Sequence, residues 1–246
     1  MSGHNKWSTI KRKKGALDAK RSKVFSKIIK EISISVREGG PDPDGNPRLR
    51  LVLSNARGSN MPKEVIQRAV NKAADKDAAS LSEVTYEGYA NFGVAVFIEC
   101  TTDNIQRTVS NVRAAFNKHN GSLGTNGSLS FIFDRKGIFT FPQGTLNEDE
   151  LTMELIDAGA EDVVLEDDYF SITTAMEDFG KMMKKLEEMK IEPENAQLQR
   201  IPKNTVKLDI DSAKKVLRLI EIFEEDDDVQ NVYHNLELTD ELMAEM

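Results

Sequence analysis

The 246-residue chain contains a single cysteine, Cys100, which excludes any intrachain disulfide. Its setting, "VAVFIEC", reads as a small buried hydrophobe on a strand, the cysteine usage of a reducing compartment. Histidine is equally scarce: His4, His119 and His234 fall in three separate segments. With no HExxH, no GxSxG and no paired cysteines, the spacing nominates no catalytic or metal-ligating set, so we expect a non-enzyme with no cofactor and no metal. Long apolar runs are missing too. The longest are about five residues, against the ~20 that span a bilayer, and no apolar segment follows the basic start as in a secretory signal. These absences lead us to expect a soluble, cytoplasmic protein with no membrane partner. Short-period repeats and low-complexity segments are also absent.

The front of the chain lacks acid. Ten of the first 30 residues are Lys or Arg against one carboxylate, Asp18, although the whole chain carries a net charge of −8. Residues 1–76 hold 18 cations and 7 acids, a net +11, while the rest hold 15 and 34, a net −19. Such asymmetry predicts an anionic partner for the front and a solvated or repulsive body behind it.

Periodicity divides the chain further. From Asp18 to about Val36, Val24, Phe25, Ile28, Ile29 and Ile32 recur at helical spacing, and Lys20, Lys23, Lys27 and Lys30 gather in an arc of about 80° on the other side. This predicts a core stripe and a basic ridge, with Arg21 turned partly toward the core. The stretch "GGPDPDGNP" reads as a helix stop and a loop, with Asn46 as N-cap and Pro47 opening a second helix. Pro62 opens a third, carrying Val65, Ile66, Ala69, Val70 and Ala73 inward. Beyond Val84, strands and helices alternate. From about Gly137 to Ile201 they spell βαββαβ, the ferredoxin-like order. Residues 94–133, with "SLSFIFD" as a strand, and the segment from "TVKLD" to "VQNVYHN" together spell a second such module, interrupted by the first. The expected fold is therefore α+β. An all-helical three-helix domain (1–78) precedes two ferredoxin-like α/β domains, one (135–203) inserted in the other (79–134 and 204–246).

"KRKK" and the ridge beyond it can neutralise phosphates and release their counterions. The residues nominated for nucleic-acid contact are Lys6, Lys11, Arg12, Lys13, Lys14, Lys20, Lys23, Lys27 and Lys30, with Lys63, Arg68 and Lys72 on the third helix extending the surface. Trp7 within this segment either stacks on an exposed base or anchors the tail against its own domain. A mitochondrial presequence is disfavoured because Lys outnumbers Arg eight to two and the ridge belongs to a packed amphipathic helix. A peripheral membrane anchor is disfavoured because the start lacks an acylation signal or a second anchor. Gly121, Gly124 and Gly127 run from helix to strand, the wrong order for a dinucleotide fingerprint, and read as a structural turn. The acidic run Glu224 to Asp228 lacks the alternation and central Gly of a calcium loop; it reads as a solvated helix end that keeps nucleic acid away.

Taken together, the stretches "GHNKW", "KGALDAKRSKVFSKIIKEI", "GGPDPDGNPRLR", "NMPKEVIQRAV", "YEGYA", "TDNIQRTVSNVRAAFNKHNGSLGTNGSLSFIF", "AGAEDV" and "DDVQNVYHN" resemble the YebC/PmpR family, which includes the mitochondrial translational activator of cytochrome c oxidase. They run in order from near the first residue to about Asn235, and the start resembles the bacterial branch. The resemblance implies three domains and a non-enzymatic regulator of gene expression. Some members are described as DNA-binding transcriptional regulators, others as factors that bind the ribosome and help translation through consecutive prolines. DNA and ribosomal RNA therefore both stand as partners, with ribosome or transcription machinery as the partner of the acidic α/β domains. Oligomeric state is not legible.

Overall fold

The computed structural model describes residues 17–75 and 80–245, with side chains from Arg21 onward. It is an α+β protein, with eight α-helices and two four-stranded antiparallel sheets among the described residues. In chain order, α1 (Leu17–Gly39), α2 (Pro47–Gly58) and α3 (Lys63–Ala74) are followed by β1 (Ser82–Tyr89), β2 (Ala95–Thr102), α4 (Ile105–Lys118) and β3 (Ser122–Leu123). Then come β4 (Phe133–Pro142), α5 (Glu148–Ile156), β5 (Ala160–Glu166), β6 (Tyr169–Ala175), α6 (Phe179–Glu188) and β7 (Asn195–Pro202). The chain closes with α7 (Ile210–Glu225), β8 (Val229–His234) and α8 (Asp240–Ala244). Short polar side chains start most of these helices by accepting the amide N–H three residues on: Asn46 caps α2, Asn104 α4, Asn147 α5, Asp209 α7 and Thr239 α8.

The chain divides into two compact units. One comprises Met1–Lys30, Ala79–Asp134 and Ile201–Met246; the other comprises Glu31–Ala78 and Arg135–Arg200. In the first, the sheet runs β3-β1-β2-β8. Alternation along its strands sorts side chains to two faces. One face packs Val96, Ile98 and Cys100 of β2 with Val112 and Phe116 of α4 and Val216, Ile220 and Phe223 of α7; the Phe116 and Phe223 rings lie 4.8 Å apart. The other face carries Ala95, Phe97 and Tyr233 against Leu129 and Phe133.

Three expectations for this unit need correction. The alternating "SLSFIFD" is a strand only from Phe133 onward, because residues 126–132 form consecutive turns. Their amides are drawn instead to the carboxylate of Glu87, which accepts from Gly127 N at 2.7 Å and Leu129 N at 2.6 Å. The stretch "TVKLD" contributes only an isolated parallel bridge, Val206 to Leu236. The sheet is completed by β1, "SEVTYEGY", a strand that the periodicity does not single out and whose next-to-last residue is a glycine.

In the second unit the elements β4-α5-β5-β6-α6-β7 follow the βαββαβ order read from the sequence, with spatial order β5-β6-β4-β7. The β5–β6 turn holds Asp167 and Asp168 at φ 50° and 62°, the left-handed pair of a type I′ hairpin, whose twist matches that of the strands. Phe139, Phe141, Leu151, Leu155, Phe170, Ile172, Met182 and Leu186 fill its core. Edge strand β7 is covered by α2. The Asn55 carboxamide donates to Ala196 O at 2.9 Å and accepts from Ala196 N at 2.8 Å, pairing with backbone that a stray strand would otherwise find. Gly58 permits this approach, since a Cβ there would lie 1.9 Å from Glu194 O. Asn46 ties the helical segment together: buried, it accepts from Leu49 N and donates to Ser35 O and Gly40 O.

Candidate nucleic-acid interface

Three of the ridge lysines of α1, Lys23, Lys27 and Lys30, do not face outward as the helical wheel predicted. Lys23 Nζ donates to Glu225 O at 2.9 Å and Lys27 Nζ to Gln230 O at 2.9 Å. Lys30 Nζ donates to Thr101 O at 2.9 Å, Asp227 O at 2.6 Å and Asp228 Oδ1 at 3.3 Å. On the expected core stripe Ile28 and Ile32 are buried, but Val24 and Ile29 remain 43% and 37% exposed. The cause lies in the body of the same unit. Where α7 ends and β8 begins, the carbonyls of Glu225, Asp227 and Gln230 accept the ammonium groups, close to the negative end of the α7 dipole. Long lysine stems can cover apolar surface while their ammonium groups reach those acceptors. Lysines chosen for phosphate therefore bond to backbone of their own chain.

Asp228 is the centre of this contact and was missed in the sequence, where it is one acid among five. Only 5% exposed, its carboxylate takes Arg107 Nη2 at 2.7 Å, Arg107 Nε at 3.2 Å and Thr108 Oγ1 at 2.9 Å on one oxygen, and Lys30 on the other. Burial by itself would raise its pKa; the bonds from Arg107, Thr108 and Lys30 outweigh burial and hold it below the ordinary value. Arg107 in turn is raised, chiefly by its bonds to Asp228 and Asp103. The acidic run is thus solvated at Glu225 and Asp227 but buried and structural at Asp228. Among the described residues no group of three or more His, Cys, Asp or Glu side chains is arranged to hold a metal. Burial, with Asp226 and Asp228 nearby, pushes the Cys100 thiol up to about 12.

The third-helix cations behave differently. Lys63, Arg68 and Lys72 of α3 are exposed, while Ala69, Val70 and Ala73 of the same helix are buried. Arg68 Nε donates to Glu64 O, at 3.3 Å within its own helix. Lys6, Trp7, Lys11, Arg12, Lys13 and Lys14 lie outside the described residues, as does the Lys20 side chain. The glycine stretch is a turn, as read: the N–H of Gly127 is spent on Glu87 and a Cβ on Gly121 would meet Tyr89 O at 2.7 Å.

The features so far define a class: an α+β protein with a cationic helical front and an acidic body. A family model described as the TACO1/YebC protein N-terminal domain matches residues 5–76, and one described as the TACO1/YebC second and third domain matches residues 81–236. The chain belongs to the TACO1/YebC family. It is 52% identical over 239 residues to a protein of Amoebophilus asiaticus, covering 96% of this chain and 98% of the relative. It is 48% identical to one of Rubrobacter xylanophilus, covering 100% and 99%. Both relatives are named "probable transcriptional regulatory protein". Among solved structures, a conserved hypothetical protein of Aquifex aeolicus matches with a TM-score of 0.81 at 43% identity, covering 91% of this chain and 93% of that one.

Proposed function

We propose that this protein is a non-enzymatic, nucleic-acid-binding regulator of gene expression, a transcriptional regulator acting on DNA in the cytoplasm. The observation that carries the reading is the net +11 of residues 1–76 ahead of a body at −19, with electrostatic attraction to phosphate as its mechanism. The names of the relatives point to transcription. In this reading residues 1–78 are the binding domain. The two α/β domains, 79–134 with 204–246 and 135–203, reach transcription machinery or, in the alternative, the ribosome. The phosphate contacts come from Lys6, Lys11, Arg12, Lys13, Lys14 and Lys20 at the front and from Lys63, Arg68 and Lys72 on α3, with Trp7 available for stacking. Lys23, Lys27 and Lys30 instead hold α1 to its own unit. The alternative ligand with the same electrostatic footprint is ribosomal RNA. Crosslinking in cells followed by sequencing of bound DNA and RNA separates the two: enrichment of promoter DNA supports the transcriptional reading, and enrichment of ribosomal RNA without DNA replaces it. No helix among the described residues is long and apolar enough to cross a membrane.

A further inference from the structure

We propose that Phe131, at the tip of the turn between β3 and β4, is a stacking platform for an unpaired nucleobase. This is a second contact on the acidic body that rests on the nucleic-acid reading above. Three observations converge on it. The ring is 67% exposed, although its neighbour Leu129 is fully buried. It is the most exposed large apolar side chain among the described residues.

The turn that presents it is built rather than loose. The buried Glu87 carboxylate takes Gly127 N and Leu129 N. Ser130 N bonds back to Gly127 O at 3.3 Å, Ile132 N to Leu129 O at 2.9 Å, and Lys203 N to Ile132 O at 2.9 Å. Backbone ordered this way presents the ring from a fixed position, so little chain freedom is lost on binding.

The segment that carries the ring is itself free of acid, and the carboxylate beneath the turn, Glu87, is buried and spent on its amides. Residues 77–246 hold 34 acids, one in five, yet none of the thirty residues between Asp103 and Asp134 is Asp or Glu. The exposed residues beside the ring in sequence, Thr125, Asn126 and Ser130, are small, neutral and polar. A protein-binding anchor is typically ringed by further apolar contacts that exclude water; polar neighbours on an acid-free stretch suit a base, whose π-face accepts an aromatic ring whatever its identity.

The test uses the full chain with two probes of one mixed sequence, a single-stranded oligonucleotide and its blunt duplex, after thermal melting shows that the variants are folded. Phe131→Ala is expected to weaken single-strand binding roughly tenfold, with a much smaller effect on the duplex and no change in the salt dependence. Phe131→Tyr is expected to bind as the parent does. Equal single-strand affinity for the parent and Phe131→Ala overturns the platform while leaving the regulator reading intact. Failure of the parent chain to bind either probe overturns both.

Discussion

Replacing Asp228 by Asn keeps the shape of the side chain and removes its charge, and the consequence can be worked from the contacts. The carboxylate anchors Lys30, Arg107 and Thr108. Hydrogen bonds to a charged partner contribute about 1.5–3 kcal/mol each, and Asn retains one acceptor while placing its NH2 against a cationic donor. Arg107, whose side chain is 47% exposed, recovers much of its loss by turning to water. A net destabilisation of about 2–3 kcal/mol follows, roughly 8 °C in melting temperature for a unit of this size. The sign of the pH dependence is fixed by the carboxylate. Its folded pKa lies below the ordinary 3.8, so its stabilisation is complete above that value and is lost as pH falls through the folded pKa. Calorimetric melts of parent and variant between pH 7 and pH 2.5 should show a constant gap at neutral pH that narrows below about pH 4. A gap under about 0.5 kcal/mol at pH 7, within the range of ordinary surface substitutions, would refute the hub, as would one unaffected by acid.

The remaining predictions separate structural from binding cations and test the packing. Lys23→Gln, Lys27→Gln and Lys30→Gln combined should lower the melting temperature and leave the salt slope of nucleic-acid binding near that of the parent. Lys63→Gln, Arg68→Gln and Lys72→Gln combined should leave melting unchanged and make the slope shallower by up to about 2.7, three phosphates at ~0.9 each. Gly58→Ala should cost several kcal/mol, about 3 or more, since its Cβ would meet Glu194 O at 1.9 Å and backbone cannot yield as a side chain does; urea unfolding reads this directly. Cys100, buried with its thiol pushed to about 12, should resist alkylation at pH 8 in the folded chain and react at once in denaturant, followed by mass spectrometry.

Much of the fold was legible because it rests on local signals. Asn46 before Pro47, Pro62 ahead of Val65, Ile66, Ala69 and Val70, and the helical spacing of Val24, Phe25, Ile28, Ile29 and Ile32 each specify their element without help from distant residues. What was not legible depends on long-range partners. Leu129, Phe131 and Phe133 alternate as a strand does, but a carboxylate some forty residues earlier, Glu87, takes the amides of Gly127 and Leu129 and folds the stretch into turns. The ridge of α1 looked outward because a wheel shows which residues share a face and not what that face meets. Lysine is usually solvent-exposed, and nothing near Lys30 in the chain announces that Asp227 O and Asp228 await it. The same blindness hid Asp228, whose burial distinguishes it from Asp227 only in three dimensions. Of the nominated cations, those on α3 are exposed as the pattern implied, while Ala69, Val70 and Ala73 supply its buried stripe.

The central claim is that a cationic front binds nucleic acid through phosphate. Its most direct test is the equilibrium affinity of the full chain for a DNA duplex and for a ribosomal RNA fragment, measured across 50–300 mM salt. With about six phosphates neutralised, log affinity should fall with log salt at a slope near −5 on duplex DNA. Binding that is insensitive to salt on both ligands would contradict the account.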